Sequence, residues 1–161
     1  MLPKTRGRVA MRVVVCVLWA ILALAGCASR SVDVDTAGFE TRLSAVPGVN
    51  GAMVEVQHPG LPTNTNVAIW LFLESADVES VATTVRKVAG TARSDDGVRG
   101  RQITISVVQG TRAEFPIRQD VVANSVPVMH RVAEALALPE SAGLMLVLTP
   151  EEVARLADVE D

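Results

Sequence analysis

The run Val67-Ala-Ile-Trp-Leu-Phe-Leu-Glu74 constrains the fold more than any other part of this chain. Its apolar stretch is too short for a self-supporting helix and suits a strand, whose side chains alternate between two faces. Val67, Ile69, Leu71 and Leu73 then point one way, and Ala68, Trp70 and Phe72 the other. A strand that is apolar on both faces belongs in the middle of a sheet and needs cover on each side.

The surrounding pattern supplies candidates for that cover. Asp35 is positioned to cap a helix over 36–46, with Phe39, Leu43 and Val46 on one face, and Pro47-Gly48 ends it. Residues 49–57 alternate as a strand with Ala52, Val54 and Val56 on one side. Asp77 caps a second helix in which Val78, Val81, Val85 and Val88 recur at helical spacing, and Gly90 is the expected stop. Residues 94–100 read as a loop. A third strand over 101–109 places Ile103, Ile105 and Val107 inside and Thr104 and Ser106 outside.

Further on, the pattern predicts a short strand at 114–118, a helix over 127–138 and an apolar strand at 143–148. Thr149-Pro150-Glu151-Glu152 combines a capping threonine, proline at the first position and a glutamate three residues after the cap. This predicts a last helix to about Ala157. The expected fold is therefore α+β, a single mixed-sheet sandwich following an N-terminal signal helix, with a right-handed crossover after the second strand. A helix, Val46-Pro-Gly-Val49, two strands and a helix resemble ferredoxin-like small domains over 36–110. Cation-efflux transporter C-terminal domains and heavy-metal-associated domains share this order. The metal-associated pattern needs Cys-x-x-Cys in its first loop, which is missing here, so the resemblance assigns no metal ligands.

The N-terminus carries a different signal. Lys4, Arg6, Arg8 and Arg12 precede an unbroken apolar run over 13–25. That run falls short of the about 20 residues needed to span a bilayer, and matches the central segment of a secretory signal. It ends in Leu24-Ala25-Gly26-Cys27, which resembles the lipobox of bacterial lipoproteins. The resemblance implies recognition of Leu24, Ala25 and Gly26 by the signal peptidase and cleavage before Cys27. It also implies a diacylglyceryl group on the Cys27 sulfur, since two acyl chains anchor stably where one does not. The organisation expected is a signal peptide at 1–26, a lipidated tether at 27–34 and an exported domain at 35–161. The expected location is the extracytoplasmic face of the cell membrane, with membrane lipid as a partner through Cys27.

Charge and cysteine content narrow the function. The precursor has a net charge of −3; loss of four of its 15 basic residues with the signal, against 18 retained acidic ones, leaves −7. Such a domain is a poor partner for nucleic acid, where phosphate contacts dominate affinity. Both cysteines, Cys16 and Cys27, lie in the signal and at the anchor. The exported part therefore has no disulfide, no zinc-thiolate cluster and no cysteine nucleophile.

Local catalytic motifs are lacking. His58 precedes Pro59-Gly60, and His130 has Glu134 four residues later, a spacing that suits a surface pair better than a metal face. Asp95-Asp96-Gly97 reads as a turn rather than a calcium loop, and Gly48–Gly51 as a turn rather than a phosphate cradle. No cofactor or metal is expected. Attention falls instead on Trp70 and Phe72, beside Met53 and Glu55 on the second sheet face. In the favoured reading, the later helices cover that face and make the aromatics core. In the other, Trp70, Phe72 and Met53 form an open surface for self-association or an envelope partner. The functional expectation is a non-catalytic binding or scaffolding domain. The alternatives are an accessory subunit of a membrane transporter or secretion complex, or a hydrolytic enzyme using His58 or His130 as base.

Overall fold

The computed structural model describes residues 33–60, 64–139, 141 and 143–159. The expected signal segment, with Leu24, Ala25, Gly26 and Cys27, and the expected tether as far as residue 32 lie outside them. Asp35 caps helix α1 (Thr36–Ser44), its carboxylate accepting from the Gly38 amide at 3.0 Å. Phe39 and Leu43, one turn apart, are fully buried. Strand β1 (Val49–Gln57) pairs antiparallel with β2 (Asn66–Leu73). Helix α2 (Val78–Ser94) then crosses over to β3 (Gln102–Gln109), which lies parallel to β2. A 3-10 turn (Arg112–Glu114) and two short helices, α3 (Arg118–Ala123) and α4 (Met129–Ala135), precede the short edge strand β4 (Leu146–Leu148). Helix α5 (Pro150–Ala157) follows it.

The four described strands form one mixed sheet in the order β1-β2-β3-β4, β4 running antiparallel to β3. The fold is α+β and in part ferredoxin-like, with the α-β-β-α-β order of 36–110 intact. Every residue of β2 from Val67 to Leu73 is buried, as its two-faced apolar pattern requires. On the first face, Ile69, Leu71, Ile103 and Ile105 pack with Phe39 and Leu43 of α1 and the valine stripe of α2. Met129 and Val132 of α4 and Val153 and Leu156 of α5 complete this main core.

Helix α2 runs through Gly90 rather than stopping there, because Ala89 and Ala92 continue its buried stripe. Burying that turn outweighs the about 1 kcal/mol that an interior glycine costs. Helix α4 ends sooner than expected. Ala137 takes a left-handed conformation (φ 49°), and the amides of Ala137 and Leu138 reach back to the carbonyls of Glu134 and Ala133. These paired bonds close the helix in the manner of a Schellman turn. The 143–148 strand shrinks to Leu146–Leu148, whereas the capping box of Thr149 and Glu152 forms as predicted around Pro150.

Polar contacts tie α1 to the rest. Glu40 accepts the Val54 amide of edge strand β1 at 2.7 Å, satisfying a donor that would otherwise face an open edge. Arg42 pairs with Asp95, whose other oxygen accepts from the Gly97 and Val98 amides. Asp95-Asp96-Gly97 is thus the turn that the sequence suggests.

Asp77 caps α2, and its pKa falls from 3.8 to about 2 because the Ser80 amide, the Ser75 hydroxyl and the Ser80 hydroxyl donate to its charged form. A depressed folded pKa means a stabilising contribution that is complete above the unfolded value and fades as pH falls toward the folded one. Asp77→Ala should therefore lower the melting temperature by a few degrees at neutral pH. The gap from the native chain should narrow between pH 3.8 and about 2. Thermal melts of both proteins across that range check this; a gap that ignores pH would contradict it.

Candidate functional site on the second face of the sheet

The strand register assembles the site. Trp70 stands opposite Met53 of β1 and beside Ser106 of β3, while Ala68 stands between Glu55 and Thr104. Val147 of β4 continues the Thr104 row. This places Met53, Glu55, Trp70, Thr104 and Ser106 together, as the alternation implies. Phe72 adjoins them in the next row, beside Val108.

The aromatics are not open: Phe72 is fully buried and Trp70 is 7% exposed, while Met53 is half-buried. Their cover also differs from the one expected. The later helices α4 and α5 pack on the first face, and residues 111–125 wrap over the second. The 114–118 strand does not form; a 3-10 turn, Phe115 and helix α3 take its place. Thr111 and Glu114 make a capping box, the Thr111 amide donating to Glu114 at 2.5 Å. Phe115 stacks on Phe72 with ring centroids 6.0 Å apart, and Val121 of α3 is fully buried in the same cluster.

Two arginines clamp this strap to the aromatics. The Arg112 guanidinium lies 5.8 Å from the Phe72 ring centroid and donates to the Phe115 carbonyl. Arg118 lies 5.5 Å from the Trp70 ring centroid, and its Nε donates to Glu55 at 2.6 Å. Cations over aromatic faces are held by the ring quadrupole, by about 0.5–1 kcal/mol where exposed. Gly51, at the β1 bulge, permits the close approach: a Cβ there would lie 2.9 Å from the Arg112 Cβ. The strap ends where Ser125 bridges Val108 and the Val126 amide donates to the Val107 carbonyl at 2.8 Å.

The strap leaves part of the face uncovered. Between α3 and the chain entering β4 lies a half-open cavity of about 260 Å³. Trp70, Ala68, Thr104 and Ser106 form its floor, and Val122, Leu144 and Met145 its apolar rim. Met145 is 47% exposed, and Val147 on the adjoining edge strand is similarly open. Ser106 lines this cavity although only 4% of it is exposed, and its hydroxyl has no hydrogen-bond partner among the described residues. Among the described residues, Arg118, at the rim, is the charged residue lining it, and no carboxylate or imidazole does.

The two histidines lie elsewhere. His58 follows β1 and His130 sits on α4; both are exposed and neither lines this cavity. Among the described residues, no three His, Asp or Glu side chains converge on a metal-sized site, and no helix is long and apolar enough to cross a membrane. Sequence reasoning missed Arg118, Ser125 and the strap that carries them. The usable signal was Thr111-x-x-Glu114, a capping-box pattern inside a stretch expected to lead into a strand.

Since Phe72 is core rather than surface, Phe72→Ser should destabilise the fold by about 3–5 kcal/mol instead of dissociating an assembly. Urea unfolding together with sedimentation checks this. A stable variant that merely loses self-association would restore the open-surface reading. Comparison of the chain with protein-family models, curated proteins and solved structures finds no match.

Proposed function

We propose that this chain is the precursor of a lipid-anchored cell-envelope protein, cut before Cys27, whose exported domain binds a ligand or partner at the second face of its sheet. Leu24-Ala25-Gly26-Cys27 behind a basic start and a short apolar run supports the anchoring. The cavity over Trp70 carries the binding part of the reading. It combines apolar walls with a few converging polar groups, the usual character of a ligand site.

Its chemistry favours holding a molecule over transforming one. Ser106, Thr104 and Ser125 bring hydroxyls to the cavity, but a hydroxyl nucleophile needs an adjacent base, and among the described residues no imidazole or carboxylate lines it. That His58 and His130 are exposed and lie away from this cavity supports the binding reading over a hydrolytic one. The negative charge of the exported part favours partners other than nucleic acid.

The test is a pull-down from detergent-solubilised membranes of the native chain and Cys27→Ala, each read by intact mass and by copurifying proteins. The native protein should begin at Cys27 and carry diacylglyceryl mass, while Cys27→Ala should keep its signal segment and gain no lipid. A native chain without lipid would overturn the anchoring. A membrane protein recovered at a fixed ratio would identify the domain as a subunit of a larger assembly.

A further inference from the structure

Resting on that binding reading, we propose that the cavity over Trp70 takes a small monocarboxylate with an apolar body, of the size and chemistry of octanoate. Three independent features select this class. At 260 Å³ the space lies just below ordinary ligand pockets, which begin at about 300 Å³. At roughly 30 Å³ per water-sized group, it holds on the order of ten non-hydrogen atoms. The walls are mainly apolar, and the Met145 side chain can adapt to a flexible chain lying against the Trp70 ring.

The polar groups are matched to an acceptor. Arg118 bonds Glu55 through Nε, which leaves its two terminal nitrogens without a hydrogen bond to a described residue. A carboxylate at the cavity mouth would receive these charge-assisted donors, the geometry at which guanidinium groups excel. Ser106, on the cavity floor, and Thr104 in the neighbouring row both offer hydroxyl donors. No acid among the described residues lines the cavity to repel an anion. Glu55, paired with Arg118, orients the guanidinium and also competes for its charge.

The experiment uses the full chain carrying Trp19→Phe, held in phosphatidylcholine nanodiscs, so that Trp70 reports alone. Octanoate and octanol are titrated in parallel, with empty nanodiscs as the blank. Octanoate should change the Trp70 emission saturably, with a Kd of roughly 0.1–1 mM for a ligand of this size. Octanol should bind more weakly. Arg118→Gln should weaken octanoate about tenfold, the loss of one charge-assisted contact, and leave octanol unchanged. Glu55→Gln should tighten octanoate, because it removes the competing carboxylate while keeping Arg118. A merely structural role for the pair would weaken binding in both variants, and circular dichroism melts show whether either has loosened the strap. Absence of a saturable octanoate response, or equal octanoate binding by Arg118→Gln and the parent, would overturn the proposal. Neither result touches the lipid mass or copurification on which the broader reading is judged.

Discussion

Burial of β2 on both faces is the constraint around which the rest of this domain is arranged. Every residue from Val67 to Leu73 is buried, so the chain must supply two separate covers. The first is conventional. Helices α1, α2, α4 and α5 lay valine, leucine and alanine stripes on Ile69, Leu71, Ile103 and Ile105, and this cluster contains most of the buried apolar residues. Burial of this kind is the main favourable term in folding, at roughly 25 cal/mol per Å².

The second cover works on different physics. It is a strap of irregular chain with a single buried helical residue, Val121, and it gains its hold from ring stacking and two arginines. The guanidinium groups bridge apolar and polar demands at once, since their planes lie over Phe72 and Trp70 while their edges donate to a carbonyl and a carboxylate. A cover made this way does not reach across the whole face. The part it leaves, above Ser106 and Thr104, is the cavity, so the candidate site is a direct consequence of roofing an apolar strand with a short strap instead of a full helix.

Much of the frame was legible from residues alone. Strand β1 has the bounds that its alternation suggests, and Asp35, Asp77 and Thr149 all cap the helices they precede. These signals are local: a side-chain acceptor for an orphan amide, or a period of two. The strap was not legible for the converse reason. Helix α3 has six residues and the turn before it three, too few for either period to register. Phe115 also looks like a strand residue until its partner Phe72 is known. Gly90 misled because propensity is a weak term beside burial of Ala89 and Ala92. Ser106 was expected outside because a serine in a strand usually faces water; here it faces a cavity, and its hydroxyl gives that cavity part of its chemistry.

Oxidative footprinting of the native chain by hydroxyl radicals, with each side chain compared with itself in denaturant, tests the two-cover account most directly. The account predicts strong protection of Met129, Phe72 and Trp70, intermediate protection of Met53, and little protection of Met145 at the cavity rim. Trp70 and Phe72 oxidised as freely as Met145 would show the second face to be open, and would contradict both the strap and the cavity built beneath it.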